Sequence, residues 1–498
     1  MKKKVIIIGA GIAGIAASIR LNAKGYAVEV FEANPYPGGK LSAFSIDQYR
    51  FDAGPSLFTM PHYVDELFAL CGENPRTHFN YQKKDLACKY FWEDGKRLNA
   101  YSDQEKYLEE VEQQLGVSPK VLKAYLAKAK KKYDLTVDLF LEKSLHRWST
   151  LFSFKTLEAL SQLPVFEINK SLDAVNRASL KEPHLVQMYN RFATYNGSSP
   201  YQTPGIMTLI QHLESHYGTY IPEGGMVSIS KSLYELAQRQ GVKFEFNQKV
   251  DEILYIKNMV EGVSIAGHKH LADAVVSNMD VHPTYRKLLP QLKAPEKTLS
   301  QERSSSALIF YWGINKSFPG LDLHNILFSE DYPAEFETIF KAKKLFLDPT
   351  IYINITAKNV PQDAPTGHEN WFVMINTPAG EHLDWEKEIP LLKEYVIAKI
   401  ERTLGEKVAP HIVAEEVLSP PLIEEKTQSY LGALYGTSSN NKMAAFLRHP
   451  NFSRQFKNLY FCGGSVHPGG GIPLCLLSAK IVSDEFSTHH DKKITPTV

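Results

Sequence analysis

Cysteine is scarce in this chain: 498 residues contain four, Cys71, Cys88, Cys462 and Cys475. They form no Cys-x-x-Cys pair, and no histidine cluster stands beside them. That excludes a disulfide framework and a zinc-type motif, and it fits a reduced, cytoplasmic protein with no metal site. An excess of charge is missing too, with 56 basic residues against 55 acidic ones. No nucleic-acid partner is expected from such a balance. Long apolar runs are also absent: none reaches the roughly 18 to 20 residues that span a bilayer. The chain is expected not to cross a membrane, although it can lie on one. What remains is a globular composition, 43% hydrophobic and 22% charged, at a length that predicts two or three domains.

The start, "MKKKVIIIGAGIAGIAAS", has two readings. A basic start, an apolar run and small residues are features of a secretory signal. The same residues read as a buried parallel strand, Val5 to Ile8, running into a glycine turn, and the glycine spacing favours this second reading. Gly9, Gly11 and Gly14 are followed by a helical apolar pattern opening at Ile12. "AVEVFE" then reads as a strand ending on Glu32, 18 residues after Gly14. This is a βαβ dinucleotide fingerprint in its required context. Gly9 permits the tight turn, Gly11 admits a diphosphate to the backbone, and Gly14 lets helix and strand pack closely. The free N–H groups at the helix start face the anion, and Glu32 is placed to accept from ribose hydroxyls.

The fingerprint does not separate NAD from FAD, but "NPYPGGKLSAF" and "YRFDAGPSLFTMP" bear on the choice. With these blocks the chain resembles the flavin amine oxidase and carotenoid desaturase superfamily. The resemblance implies FAD, contacted by Gly39 and Lys40 after the acid and by Pro55 and Ser56 of a Gly-Pro turn. Lys40 stands where the superfamily usually has arginine, which replaces a planar fork by a point charge.

A second glycine-rich stretch, "NLYFCGGSVHPGGGIPLCLLSAK", reads as a strand from Leu459 to Cys462, a turn, and a helix beginning near Ile472. It resembles the C-terminal flavin motif of carotenoid desaturases, whose helix N-terminus points at the isoalloxazine ring. The two loops would then hold one extended ligand, with its diphosphate at 9 to 14 and its flavin end near Gly464, Gly471 and Ile472. A helix N-terminus stabilises an anion such as reduced flavin by about 0.3 to 2 kcal/mol. His467 invites a catalytic role, but beside Pro468 and a glycine run it reads better as a residue that shapes the turn.

Shorter blocks extend the resemblance: "YIPEGGMVSISKSLYELAQRQGVKFEFNQKVDEI", "ADAVVSNMD", "SSSALIFYWG" and "LGALYG". They imply cofactor neighbours at Val250, Asn278, Leu308 and Gly436. The expected fold class is α/β plus α+β. Residues 1–75, 220–282 and 425–490 would form a discontinuous Rossmann-type FAD-binding domain. Residues 76–219 and 283–424 would form an inserted mixed-sheet substrate domain, with a helical part near 105–185.

"RFATYNGSSPYQTPG" resembles a desaturase signature of the substrate domain, which makes Arg191 and Tyr195 candidates for contact with substrate or flavin. Segment 121–160 mixes lysines with Leu, Phe, Tyr and Trp at helical spacing. It can face a core, or lie in a bilayer interface; a long polyene carotenoid, being insoluble, would have to be collected from a membrane surface. Among carotenoid desaturases, "FEANPYPGGKLSAF" and "FDAGPSLFTMP" look closest to the bacterial 1-hydroxycarotenoid 3,4-desaturases. The expectation is an FAD-dependent desaturase, cytoplasmic and peripherally membrane-associated. Desaturation elsewhere on a carotene, as in phytoene desaturases, and redox-neutral carotene isomerisation use the same motifs. A non-catalytic isoprenoid-binding escort protein shares the fold, but the intact glycine loops and Glu32 argue against it. An amine oxidase would show a flavin-linking cysteine or an aromatic cage, and neither is visible.

Overall fold

The structure, a computed structural model, describes residues 2–137, 141–147, 150, 162–380, 382–441, 443 and 447–490. Strands of its two larger sheets, in chain order, are β1 (Lys4–Ile8), β2 (Ala27–Phe31), β3 (Leu86–Phe91), β4 (Arg97–Tyr101), β5 (Lys243–Glu245), β6 (Ala274–Ser277), β7 (Ser306–Ile314), β8 (His324–Leu327), β9 (Ile351–Ile355), β10 (Glu369–Thr377), β11 (Ile412–Leu418) and β12 (Leu459–Phe461). Four helices matter below: α1 (Ile12–Ala23), α2 (Pro119–Thr136), α3 (Val227–Arg239) and α4 (Ile472–His490).

Val5, Ile6, Ile7 and Ile8 are buried because β1 lies inside a parallel sheet of order β12-β6-β1-β2-β5. A strand covered on both faces needs no polar alternation, so the apolar N-terminal run is a core strand. The chain enters this sheet three times, in its first 31 residues, again between 243 and 277, and last at 459 to 461. Helices α1 and α4 pack against each other beside it.

Strands β11-β7-β10-β9-β8-β3-β4 form the second sheet in that order, antiparallel except for the parallel β8–β3 pair. One face of β7 and β10 joins Leu308, Phe310, Trp312, Trp371 and Val373 in a core closed by the helix Trp385–Leu404. Asp52 ties the sheets together: its carboxylate accepts from the backbone N–H groups of Met226 and Val227 at the start of α3 (2.8 and 3.1 Å) and from Arg50 (2.8 Å). Arg50 also reaches Asp363, beyond β9. Gly225 is required there, since a side chain would meet Arg50 and Asp52 within 2.9 Å and its φ is +83°.

For the helical stretch, α2 turns Leu122, Tyr125, Leu126 and Tyr133 inward and leaves Lys120, Lys123, Lys128, Lys130 and Lys131 exposed. Its aromatic residues therefore serve the core. Residues 138–140, 148–149 and 151–161 of the same stretch lie outside the described residues. No helix among the described residues is long and apolar enough to cross a membrane.

Candidate active site

A cavity of about 880 Å³ lies between the two sheets and reaches both glycine loops. At one end, α1 starts directly after Gly11, with no side chain capping its first N–H groups. Gly9 has φ +95° and donates to the Phe31 carbonyl (2.8 Å), which folds the loop back over the end of β2. A Cβ at Gly14 would stand 2.2 Å from the Gly9 carbonyl, so only glycine fits. Glu32, buried, accepts from Ala10 N–H (2.7 Å) with one oxygen and from Asn34 with the other. Asn278 joins the two loops. Its Nδ2 donates to the Gly9 carbonyl (3.3 Å), and its Oδ1 would be 2.9 Å from a Cβ at Gly463.

The second loop runs from Gly463 to the first turn of α4. Gly436, at φ +73°, packs so closely that a Cβ would be 2.8 Å from Ser465 Cα. Lys40 reaches across to donate to the Leu434 carbonyl (3.0 Å). Burial lowers its pKa, opposed by the negative Asp280. His467 donates through Nε2 to the Lys143 carbonyl (2.9 Å), and its Nδ1 is buried without a partner. Burial takes its pKa down to about 4. It is thus a neutral brace between the loop and residue 143, in keeping with the turn-shaping reading.

The cavity is lined by Gly9, Gly11, Ile12, Glu32, Gly39, Lys40, Pro55, Ser56, Arg191, Tyr195, Val250, Asn278, Gly436, Gly464, Gly471 and Ile472. Sixteen positions drawn from distant stretches thereby meet in one space. Two others do not line it. Gly14 lies behind the loop, where its packing role puts it. Leu308 is a correction: it is fully buried on the opposite face of β7, and Ile309 lines the cavity instead. Side chains alternate along a strand, so an error of one residue reverses the face.

The register shows what Ile309 belongs to. Ile326 on β8 pairs with Tyr352 on β9, Tyr352 with Met374 on β10, Met374 with Ile309 on β7, and Ile309 with Leu418 on β11. All five line the cavity. They form one straight row across five strands, roughly 19 Å long at about 4.8 Å per step. Ile206, Met207, Leu209, Ile210 and Leu213 face the cavity as well, from a run that passes from a 3-10 turn into a π-helix at Leu213–Tyr217.

Two polar groups interrupt these apolar walls. Ser56 bonds the Tyr352 hydroxyl (2.8 Å), which also meets His324 Nδ1 (2.8 Å). Since Asn354 Nδ2 donates to the same Nδ1 (3.2 Å), that nitrogen is the acceptor and Nε2 carries the proton. The second group centres on Arg191, which donates to Tyr195 (3.1 Å) and Tyr90 (2.6 Å) and lies 3.7 Å from Glu214. Tyr195 donates to Glu214 Oε2. Burial works against the guanidinium, but Tyr195, Tyr90 and Glu214 raise its pKa well above the ordinary value. Glu214 and Tyr352 escaped the sequence reading because their partners are remote in the chain. The π-helix that places Glu214, a feature frequent at functional sites, leaves no signature in residue type.

Residues 12–486 match the model of the flavin containing amine oxidoreductase family, and the chain belongs to that family. Its cofactor is FAD, and the chain fits such a group: a glycine cradle that side chains would fill, an uncapped helix start on the first loop, and the cation of Lys40 beside them. The chain is 57% identical over 482 residues to a protein of a Flavobacterium species called 1-hydroxycarotenoid 3,4-desaturase, covering 97% of this chain and 98% of that one. It is 34% identical to 4,4'-diapolycopene oxygenase of a Methylomonas species, again over 97% and 98%. Among solved structures, putrescine oxidase bound to putrescine (TM-score 0.64, 14% identity, 98% of this chain and 100% of that one) and cyclohexylamine oxidase from Brevibacterium oxydans (0.63, 13%, 99% and 100%) share the fold.

Proposed function

We propose that this protein is an FAD-dependent carotenoid desaturase that forms the C3–C4 double bond at an acyclic carotenoid end already hydroxylated at C1. The observation that carries this reading is the apolar row from Ile326 to Leu418, which leads past the polar Arg191–Tyr195–Glu214 group in a cavity shared with both glycine loops. Near-full-length identity of 57% to a 1-hydroxycarotenoid 3,4-desaturase supports it over the isomerase and escort readings. In the proposed arrangement, residues 1–75, 220–282 and 425–490 hold the cofactor, while 76–219 and 283–424 hold the substrate. Bound FAD supplies the two-electron acceptor for the hydride that leaves C4.

The chain's own residues do the rest. C4 is allylic to the polyene, so hydride loss leaves a delocalised cation, and a proton on C3 becomes acidic enough for water to take. Positioning is therefore the protein's main task. The row lays the polyene flat across five strands. The terminal hydroxyl, two carbons from C3, donates to Glu214, which Tyr195 orients by hydrogen bonding and beside which Arg191 stands. An end without the hydroxyl would leave that buried carboxylate short of a partner, which is how such a site rejects it. Gly9, Gly11, Ile12, Glu32 and Asn278 take the diphosphate and ribose end of the cofactor. Val250 lies by the adenine, and Gly39, Lys40, Pro55, Ser56, Gly436, Gly464, Gly471 and Ile472 lie by the flavin. The exposed lysines of α2 supply positive charge for peripheral contact with an anionic membrane, from which the substrate is collected.

Anaerobic mixing of FAD-loaded protein with 1-hydroxylated and unhydroxylated carotenes in liposomes tests this. Bleaching of the flavin by the hydroxylated carotene, with a red shift of its absorption, is expected. Glu214→Gln should lower the preference for that substrate about 10- to 100-fold. Bleaching by phytoene or lycopene alone would discard the end-group assignment, and no bleaching by any carotene would discard the desaturase. Flotation with anionic liposomes at low salt reads the membrane contact; protein that stays in solution would refute it.

A further inference from the structure

Among the described residues, Arg448 is a buried cation without an anion. It is 3% exposed, and its one hydrogen bond among them runs from Nη1 to the Tyr435 carbonyl (3.1 Å). No described carboxylate pairs with it, whereas its neighbour Arg303 is paired with Asp280. Burial, followed by repulsion from Arg303, pulls its pKa down to about 10. Leaving a buried charge uncompensated is strongly destabilising, and a fold retains one where a ligand brings the opposite charge. The surroundings say where that ligand lies. Arg448 and Tyr435 line the cavity together with the second glycine loop. A Cβ at Gly469 would stand 3.3 Å from Arg448 Nε and Cζ and 3.6 Å from Nη2, so the second glycine loop lies directly against the guanidinium. Three residues further on, α4 opens at Ile472, and the first turn of a helix has N–H groups without intrahelical partners.

We propose that Arg448 is the fixed counter-charge for the flavin ring in its reduced state. A hydride brings two electrons and one proton to the neutral oxidised ring, which leaves the ring with one net negative charge. The start of α4 offers about half a positive charge to it; Arg448 adds a whole one, held in place beforehand so that nothing need reorganise as the charge arrives. The diphosphate is the other anion of the cofactor. Its cradle is at Gly9–Gly14, which Asn278 links to the second loop at Gly463, while Arg448 meets that loop at Gly469. The inference rests on the flavin lying at 464 to 473. It does not depend on which substrate is oxidised, so its test contains no carotenoid.

FAD-loaded wild type, Arg448→Gln and Arg448→Lys are titrated with sulfite, and their midpoint potentials are measured. Sulfite adds through sulfur to flavin N5 and leaves the same negative charge on the ring. Arg448→Gln is expected to retain FAD, bind sulfite at least tenfold more weakly and lie lower in potential by about 30 mV for each tenfold change. Arg448→Lys should recover most of both. Unchanged sulfite affinity and potential in Arg448→Gln would overturn the proposal. So would loss of FAD from a folded Arg448→Gln that Arg448→Lys restores, because that places the charge on the phosphates. Should Arg448→Gln not fold, the wild type decides: its reduced flavin must keep the spectrum of the anionic ring as pH falls through the histidine range, and protonation of the ring there would overturn the proposal.

Discussion

Gly11 and Gly14 stand three residues apart and serve different ends. At Gly14 a methyl group would meet a backbone carbonyl at 2.2 Å, which cannot yield without moving the strand-to-helix turn. At Gly11, whose φ is an ordinary −67°, the obstacle is the Asn278 side-chain amide at 2.7 Å, which can rotate aside. Gly14→Ala should therefore cost about 1 to 3 kcal/mol of stability, as overpacking does. Gly11→Ala should stay closer to wild type in thermal melting but bind FAD more weakly, since the methyl group stands where the diphosphate is proposed to approach. Melts of the apoprotein together with FAD titrations check both; equal destabilisation of the two variants would refute the distinction.

Strands β7 and β10 have two apolar faces with separate duties. Leu308 belongs to the core beneath the sheet, and Met374 to the row that lines the cavity. Leu308→Ala is expected to cost about 2 to 5 kcal/mol, the range for a large-to-small change in a packed core. Met374→Trp should leave FAD content and melting close to wild type and slow flavin bleaching by carotenoid at least tenfold, because it fills the middle of the track. Denaturant melts and stopped-flow bleaching measure the pair. Fast bleaching in Met374→Trp would show that the polyene does not run along this row.

Acid should weaken the molecule as a whole. Burial lowers the pKa values of His146, His212, His449 and His467 from 6.5 to about 4, and that of His324 to about 3. Between those values and 6.5 the unfolded chain binds more protons than the folded one, so stability rises with pH there and is lost as pH falls. Each buried histidine contributes up to about 1.4 kcal/mol per pH unit across its window. Urea midpoints measured from above pH 7 down to about 5 should drop steadily below about pH 6.5. A flat profile would mean that the unfolded chain leaves these histidines as hard to protonate as the fold does.

Both glycine loops, the strands that lead into them and Glu32 were legible in the sequence, because each depends on local backbone demands that residue type reports directly. Gly9 needs a positive φ, Gly14 a missing Cβ, and β1 apolar residues on both faces. The face of β7 was not legible: "SALIFYWGI" is buried throughout, so no alternation distinguishes Leu308 from Ile309. The row from Ile326 to Leu418, the meeting of Arg191 with Glu214 and Tyr90, and the isolation of Arg448 depend on partners far apart in the chain. Sequence by itself determined that a dinucleotide would be held and where both glycine loops would turn, since helix starts and turns are set within a few residues. Only the tertiary structure decided the shape of the space beside it and which buried charges stay unpaired, because strand register and side-chain pairing arise when distant segments pack.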